Sequence, residues 1–272
     1  MAGQNLRWLS RATALLLNSL QDDGFPRLLR RLLLTQLPFS NMIVTIYPQQ
    51  NKPICLHAWL PNTRLHNHYQ KHYLTHTYQL DPFYQICTQQ FKTGAYFLKD
   101  VAPDRFFRSE YYLSYYRGST MVDELCLISE LNDGSAIHMS IGRDSSLGRF
   151  NKIERHFLAD IEIILCSLLS QNGNHQISLS QAVEQPHEAA EALDIRLQKY
   201  SASLPNLTPL TPREAQVTAM VLKGHSSLSA GLVLGIATET VKIHRKKVYK
   251  KLQVGTQAEL FARLSHLLVG EQ

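Results

Sequence analysis

A fifteen-residue stretch near the C-terminus, Thr238-Glu-Thr-Val-Lys-Ile-His-Arg-Lys-Lys-Val-Tyr-Lys-Lys-Leu252, decides how the rest of the chain is interpreted. It holds six Lys and Arg residues and one Glu, a net charge of +5, whereas the whole chain of 272 residues carries +6. Val241, Val248 and Leu252 recur at helical spacing. A cationic helix with one narrow apolar seam is either a solvated surface helix or a helix that docks on a small core and faces a polyanion.

The flanking sequence contains helix-boundary signals that decide between these two interpretations. Thr211, Pro212 and Glu214 have the spacing of a reciprocal N-terminal cap with proline in the first turn. Gly224 and Gly235 end the next two segments, as glycine does after many helices. The predicted helices cover 212–223, 226–234, 238–252 and, after a cap at Thr256, 257–268. Four short helices with a tight turn between the second and third predict a helix-turn-helix unit.

Residues throughout this region also occur in a family order. They are Leu210-Thr-Pro-Arg-Glu214, Gly224, Ser226, Leu234-Gly235-Ile236, Thr240-Val241-Lys242, His244, Lys251-Leu252, Val254 and Glu259-Leu260. Over about sixty residues the chain resembles the C-terminal DNA-binding domain of LuxR-type bacterial transcription regulators. It departs from the family at Leu228-Ser-Ala-Gly231, where Lys-Glu-Ile-Ala is usual, and at Ala237, where Ser or Thr is usual. Because glycine inside a helix costs about 1 kcal/mol, Gly231 predicts a weak second helix.

The resemblance implies roles for the exposed positions of the cationic stretch. Base edges would be contacted by Lys242, Ile243 and Lys246, and the DNA backbone by Thr240, Lys247 and Lys250. Lysine reaches the guanine acceptors, an aliphatic side chain meets the thymine methyl, and the remaining cations neutralise phosphates. His244 has two interpretations, a phosphate contact or a filler at the edge of the apolar seam.

The last predicted helix is richer in apolar residues than a monomer needs. These residues are Leu260, Phe261, Leu264, Leu267 and Leu268. The family dimerises through this helix, so the resemblance implies a homodimer and an inverted-repeat operator in double-stranded DNA.

Residues 1–171 predict an α+β domain. Predicted strands cover 42–47, 54–59, 122–131 and 135–142, and the stretch at 95–98 is short and apolar. Predicted helices cover 5–20, 27–34, 65–78, 82–91, 104–117 and 150–170. Asp133-Gly134 marks the clearest hairpin. The order favours an α-β-α sensor domain with an antiparallel sheet, of the PAS or GAF kind, rather than a parallel sheet or a receiver domain. A shift to Asn, Gln, Ser and Pro predicts a linker at 172–207, with one polar helix at 187–200, before the all-α domain at 208–272.

Several function classes are disfavoured by what the sequence lacks. It shows no secretory signal and no membrane-length apolar run, which predicts a cytoplasmic protein with no membrane partner. Cys55, Cys87, Cys126 and Cys166 are scattered, as reduced thiols usually are. No nucleophile elbow, phosphate loop or His-Glu-x-x-His motif is present, so an enzyme fused to a DNA-binding tail is the weaker hypothesis, and no cofactor is expected.

Tyr78-Gln-Leu-Asp81-Pro82, Gly118 and the helix predicted from Phe150 are weakly similar to the autoinducer-binding domain of quorum-sensing LuxR-type regulators. The similarity implies that Asp81 holds the amide of an acyl-homoserine lactone, with aromatic neighbours. His68 and His72 stand where that family has Trp and Tyr, so either a different small ligand or no ligand is expected. The candidate ligand-binding residues are Trp59, His72, Tyr73, Asp81, Tyr96 and Tyr112.

Each of these candidates has a structural alternative. Asp81 also fits a helix cap before Pro82. Trp59 and the tyrosines at 111, 112, 115 and 116 also fit a core or dimer surface. His68, His72 and His76 would share one helix face, either as a solvated, pH-responsive face or, less favoured, as metal ligands. The leading hypothesis is a ligand-responsive bacterial transcription regulator, and the alternative is a regulator controlled by protein–protein interaction.

Overall fold

The computed structural model describes residues 2–49, 52–74, 77–88, 91–109, 112–113, 121–182, 191–205 and 207–269. They form two units that each combine separate parts of the sequence. The sheet unit contains the described residues of Met1–Asn67, Ile86–Asp100 and Thr120–Ala189, and the helical unit those of His68–Gln85, Val101–Ser119 and Ala190–Gln272. Two segments of the predicted sensor domain therefore belong to the unit that contains the predicted helix-turn-helix.

The five strands form one antiparallel sheet in the order β2-β1-β5-β4-β3. They are β1 Asn41–Tyr47, β2 Ile54–Trp59, β3 Gly94–Phe97, β4 Met121–Glu130 and β5 Ala136–Asp144. The four predicted strands are confirmed to within two residues at each end, and the short apolar stretch at 95–98 supplies most of the fifth, β3. The β4–β5 turn contains Gly134 at φ +80°, a conformation that glycine adopts without strain.

Helices α1 Ala2–Asn18, α2 Phe25–Leu34 and α6 Lys152–Ala182 contribute to the core against one face of the sheet. Alternation along the strands sends Met42, Val44 and Ile46 to this core, together with Leu125 and Leu127 of β4. The antiparallel α-β arrangement predicted from the sequence is confirmed.

Helix α6 ends twelve residues later than predicted and continues through the first residues of the predicted linker. The polar residues that suggested a linker make tertiary contacts instead. Asn172 is buried and its side-chain amide donates to the carbonyl of Leu20 at 2.7 Å. A Cβ on Gly173 would come within 2.9 Å of a Leu131 methyl, so the glycine permits close packing. Asn174 accepts the backbone N–H of Asn132 at 2.9 Å.

The middle of the chain is less helical than predicted. The single helix expected over 65–78 is wrong: the segment consists of α3 Thr63–His68, a π-helical turn Tyr69–Tyr73 and a 3₁₀ turn Thr77–Leu80. Helix α4 is short, Pro82–Cys87, and α5 covers Leu98–Val101. The helix expected from Asp104 is also wrong up to Ser109, because only a 3₁₀ turn at Phe106–Arg108 forms before extended Ser109. Residues 112 and 113 are helical, and the N–H of Leu113 donates to the carbonyl of Ser109 at 3.0 Å.

The C-terminal helices agree closely with prediction. They are α7 Leu193–Ser203, α8 Pro212–Leu222, α9 Ser227–Leu234, α10 Thr238–Lys251 and α11 Gln257–Val269. Thr211 and Glu214 form the predicted reciprocal cap, and Gly235 ends α9 in the left-handed conformation. The predicted polar helix at 187–200 corresponds to α7, which begins later.

Candidate nucleic-acid interface

Helix α10 divides into a buried seam and an exposed cationic surface. Val241, Val248 and Leu252 are at most 1% exposed and pack into the helical unit, which confirms the predicted seam. On the other side, Ile243 is 54% exposed. The lysines predicted to contact DNA are also exposed, namely Lys242, Lys246, Lys247 and Lys250. A helix anchored this way presents fixed positive charge to a polyanion.

A buried ion pair fixes the C-terminal end of α10. Lys251 Nζ lies 2.7 Å from Glu214 Oε2 and donates to the carbonyl of Pro209 at 2.9 Å. Glu214 also accepts the backbone N–H of Thr211. Burial alone would raise the pKa of Glu214, but the hydrogen bonds from Lys251 and Thr211 outweigh it and lower that pKa. Lys251 is therefore a positioning residue and is not free to contact a ligand.

The turn between α9 and α10 depends on the sequence that departs from the family pattern. A Cβ on Gly231 would lie 2.7 Å from the carbonyl oxygen of Ile236. Ala230 is fully buried in a small core with Val217 and Val241. Gly231 thus allows the close approach of this turn to α9, a role that the prediction of a weak second helix did not include.

Arg245 links the two helices of the motif, which the sequence did not suggest. Its guanidinium donates to Ser227 Oγ on α9 at 3.2 Å and to Tyr249 Oη at 3.3 Å. Only its helical register, four residues after Val241 and three before Val248, could have suggested that it differs from its exposed neighbours. Its contacts stiffen the α9–α10 pair.

The other polar residues of α10 are held more loosely. Lys242 pairs with Glu239 at 2.6 Å, but both side chains are more than half exposed, so this pair exchanges readily for a phosphate or a base. Thr240 and His244 are half-buried. The Nδ1 atom of His244 is buried without a hydrogen bond, which favours the seam-edge interpretation over a phosphate contact through that atom.

An open groove of about 370 Å³ lies beside the C-terminal end of α10. Its lining residues are Leu207, Thr208, Lys247, Lys250, Lys251 and Gln253. Gln253 adopts φ +52° just after the helix. The groove places the two lysines predicted to contact the DNA backbone side by side in a concave surface of a size and charge that suit a phosphate.

The candidate ligand-binding residues of the sheet unit lie on opposite faces of the sheet. Trp59 pairs with Met42 on the helix-covered face, where Phe39 contacts its ring edge-on and the Arg30 guanidinium lies 4.8 Å from its centroid. Tyr96 pairs with Cys126 on the other face, and its hydroxyl donates to the carbonyl of Lys92. Trp59 is a packing residue of the helix-covered face, as its structural alternative predicted.

In the helical unit, Asp81 and Tyr73 are in direct contact. Tyr73 Oη donates to Asp81 Oδ2 at 2.6 Å, and the backbone N–H of Phe83 donates to Oδ1 at 2.8 Å. Asp81 therefore caps α4, as one interpretation predicted. Burial raises the pKa of Asp81 to about 6, although the hydrogen bonds from Tyr73, Phe83 and Tyr84 oppose this. Both carboxylate oxygens already accept protein hydrogen bonds.

Tyr112 packs its ring against Phe106 and Phe107, as an aromatic core contact would. The other tyrosines of the predicted cluster, at 111, 115 and 116, lie outside the described residues, as do Gly118, His76 and the side chain of His72. The π-helical turn after His68 breaks the regular spacing on which a three-histidine face depends.

Among the residues that the structure describes, no three His, Cys, Asp or Glu side chains are grouped so as to hold a metal ion. All four cysteines belong to the described part of the chain and form no disulfide there, and Cys126 and Cys166 are buried. The described helices include none with the length and apolar character that crossing a membrane requires.

Comparisons with known proteins agree with this geometry. The family model described as bacterial regulatory proteins, luxR family, matches residues 208–263. A protein named as an HTH-type transcriptional regulator in the exeN 3′ region of Aeromonas salmonicida is 32% identical over 190 residues, which are 69% of this chain and 95% of that protein. The tetrathionate response regulatory protein TtrR of Salmonella typhimurium is 36% identical over 58 residues, 21% of this chain and 28% of TtrR.

The fold of the N-terminal part also has a solved counterpart. The crystal structure of the VqsR LBD domain from Pseudomonas aeruginosa superposes with a TM-score of 0.52 at 23% identity. The match covers 61% of this chain and 96% of that domain.

Proposed function

This chain belongs to the LuxR family of bacterial regulatory proteins, and from that premise we propose that it is a transcription regulator that binds double-stranded DNA through α10. The single observation that carries the proposal is the seam of Val241, Val248 and Leu252. Their burial fixes α10 in the helical unit and leaves its cations exposed. Residues 208–263, which match the family, include this helix.

The proposed contacts divide by chemistry. Lys242, Ile243 and Lys246 face base edges, where each good contact is worth about 1–3 kcal/mol of discrimination. Thr240 and the groove lysines Lys247 and Lys250 face phosphates. His244 is half-buried, beside both the residues that face bases and those that face phosphates. A protein built this way has a large salt-dependent affinity for any duplex and a smaller sequence-dependent increment.

We further propose a homodimer on a two-fold operator, which rests on family membership. In the described part of α11, Leu260, Phe261 and Leu264 are already buried within one chain. A dimer contact must therefore use the outer side of α11 or another surface. An isologous pair of α10 helices would read two half-sites about one helical turn apart.

For the sensor part, the geometry supports a ligand other than an acyl-homoserine lactone. The carboxylate of Asp81, expected to hold the lactone amide, is engaged by Tyr73 and by the N-terminus of α4. This observation also favours the second candidate function, a regulator controlled by a protein partner. Thermal unfolding with a panel of acyl lactones and small metabolites separates the two. A stabilising metabolite supports a sensor, and silence across the panel supports the protein partner.

Sequencing of genomic fragments retained by the purified full-length chain tests the DNA-binding proposal. We expect one enriched sequence with inverted-repeat symmetry. Retention without any enriched sequence, at a salt concentration where a known repressor remains specific, would contradict a sequence-specific regulator.

A further inference from the structure

Two N-terminal segments of the helical unit are hydrogen-bonded to the turn between α8 and α9. The ammonium of Lys223 donates to Gln85 Oε1 at 2.8 Å. The backbone N–H of Arg105 donates to the carbonyl of Gly224 at 3.1 Å. The backbone N–H of Ser226 donates to Asp104 Oδ1, also at 3.1 Å. Side chains and backbone both participate, so the contact is specific to this register of the two segments.

The packing at this turn is close enough to require glycine. Gly224 has φ +90°, and a Cβ there would lie 2.8 Å from the Cα of Phe106. Phe106 is fully buried. Lys223 is half-buried, and this burial lowers the pKa of its ammonium to about 8. The packing of Gly224 against Phe106 is as close as in a protein core, so this contact is a specific one and not a loop resting loosely on a surface.

The acceptor of the Ser226 N–H is an ionised carboxylate at the start of a helix. Ser226 caps α9 through its hydroxyl, which accepts the N–H of Ser229 at 3.1 Å. The hydrogen bonds from Ser226 more than offset partial burial and lower the pKa of Asp104, so it is charged at neutral pH. The N-terminus of an α-helix favours an anion there.

That end of α9 is also where a helix-turn-helix meets DNA. The first helix of the motif crosses the phosphate backbone while the second enters the major groove, and helix N-termini are common phosphate sites in DNA complexes. An anion at this end of α9, such as Asp104, therefore occupies the kind of site at which helix N-termini bind phosphates in DNA complexes.

We propose that the segments 79–85 and 103–109 form an intramolecular clamp on the turn of residues 223–226, and that Asp104 competes there with a DNA phosphate. The inference rests on the proposed function. The clamp holds the chain in a form with weakened DNA affinity, and full binding requires the clamp to open.

The clamp is continuous with the candidate ligand-binding residues. Gln85, which holds Lys223, donates through its amide to the carbonyl of Gln79 at 2.6 Å, and Gln79 in turn donates to the carbonyl of Glu191 at 2.9 Å. Asp81 lies between these two glutamines. The neighbouring π-helical turn Tyr69–Tyr73 packs against α11. A ligand or partner that breaks the hydrogen bonds of Asp81 to Tyr73 and Phe83 would displace the segment 79–85 and so weaken the contact of Gln85 with Lys223.

The test compares the full-length chain with Asp104→Ala and with Asp100→Ala in equilibrium binding to a labelled duplex at fixed salt. Asp100 is also an exposed acid, four residues away, so both variants lose one negative charge, but only the first loses a hydrogen bond of the clamp. Because Asp104 is exposed, we expect Asp104→Ala to bind about two- to fivefold more tightly than Asp100→Ala, as for loss of one surface charge at a helix N-terminus. Equal affinities of the two variants would overturn the clamp.

A second measurement protects this test against misfolding. Amide hydrogen exchange of the wild-type chain should increase at residues 104–109 when saturating duplex is added. Unchanged exchange in the DNA-bound chain would overturn the clamp even if Asp104→Ala were unstable. If neither the wild type nor the variants bind any duplex, the proposed function itself fails, an outcome distinct from equal but measurable affinities.

Discussion

Gly231 lies where α9 and the turn to α10 come closest, because a Cβ there would approach the carbonyl oxygen of Ile236 to 2.7 Å. From the sequence, this residue predicted only a helix-propensity cost of about 1 kcal/mol. In the structure, the absence of a side chain at Gly231 allows the turn before α10 to pack directly against α9. The neighbour that forces the choice is five residues away on a returning chain, so no local pattern could have revealed it.

Gly231→Ala is therefore expected to destabilise the helical unit, although alanine favours a helix. Overpacking against backbone costs about 1–3 kcal/mol, which exceeds the propensity gain. Urea unfolding measures the difference. Gly255→Ala is the matched control, because the nearest atom to its added Cβ is 3.7 Å away. A Gly231→Ala chain as stable as the Gly255→Ala chain would refute this account of the turn.

Asp81 gives a second prediction at the same scale. Its folded pKa of about 6 lies above the ordinary value of 3.8, so folding favours the protonated form. The contribution of Asp81 to stability should fall as pH rises from about 4 to about 6 and be flat, at the lower value, above that range. Asp81→Asn keeps an acceptor for the Phe83 N–H and removes the charge.

We expect Asp81→Asn to unfold at higher urea concentration than the wild type at pH 7.5, by up to about 3 kcal/mol, and to lack the slope between pH 4 and 6. Denaturant titrations at several pH values provide the measurement. A variant less stable than the wild type at pH 7.5 would show that the charged carboxylate is favoured by the fold, contrary to this prediction.

At the scale of single elements, the sequence is most informative where local chemistry sets the boundary. Thr211 and Glu214 predict a reciprocal cap, and Asp133-Gly134 predicts the β4–β5 hairpin; both are present. Prediction fails where distant contacts override local signals. Asn172 and Gly173 resemble a linker in sequence, but Leu20 and Leu131 make them part of α6.

The residues of α10 divide in the same way. Its seam and exposed cations could be predicted from spacing alone, because helical periodicity is local. The holding contacts of Arg245 and Lys251 could not, since their partners Ser227 and Glu214 lie on other helices. The grouping of the candidate ligand-binding residues was even less predictable, because these residues are divided between the two units.

The anchoring of α10 on α8 gives a prediction at this scale. A double-mutant cycle on Glu214→Gln and Lys251→Met should yield a coupling of about 1–3 kcal/mol, because Glu214 is buried. The same cycle on Glu239 and Lys242, which are exposed, should yield less than about 1 kcal/mol. Similar couplings for the two pairs would contradict the anchoring role.

This coupling should also depend on pH. The folded pKa of Glu214 is lowered from 4.5, so its contribution is complete above that value and disappears as pH falls through the folded pKa. The cycle repeated at decreasing pH checks the sign. A coupling that grew as the solution was acidified would be inconsistent with the ion pair.

At the scale of the whole molecule, the net positive charge is concentrated in one short segment. Five of the six net positive charges belong to residues 238–252, so the polyanion-binding surface is local and the rest of the chain is nearly neutral. The interleaving of the two units in sequence means that the segment carrying Asp81 belongs with the helix-turn-helix. Sequence order alone predicted separate domains, because it cannot show which non-adjacent segments pack together.

The measurement that tests the central claim most directly compares two matched double variants on the selected operator and on unrelated duplex. Lys242→Ala with Lys246→Ala and Lys247→Ala with Lys250→Ala each remove two charges from α10. The first pair should lower the ratio of specific to non-specific affinity, since base contacts are lost; the second should weaken both complexes alike and reduce the salt slope by about 2. Identical specificity ratios for the two double variants and the wild type would contradict the claim that α10 reads DNA sequence.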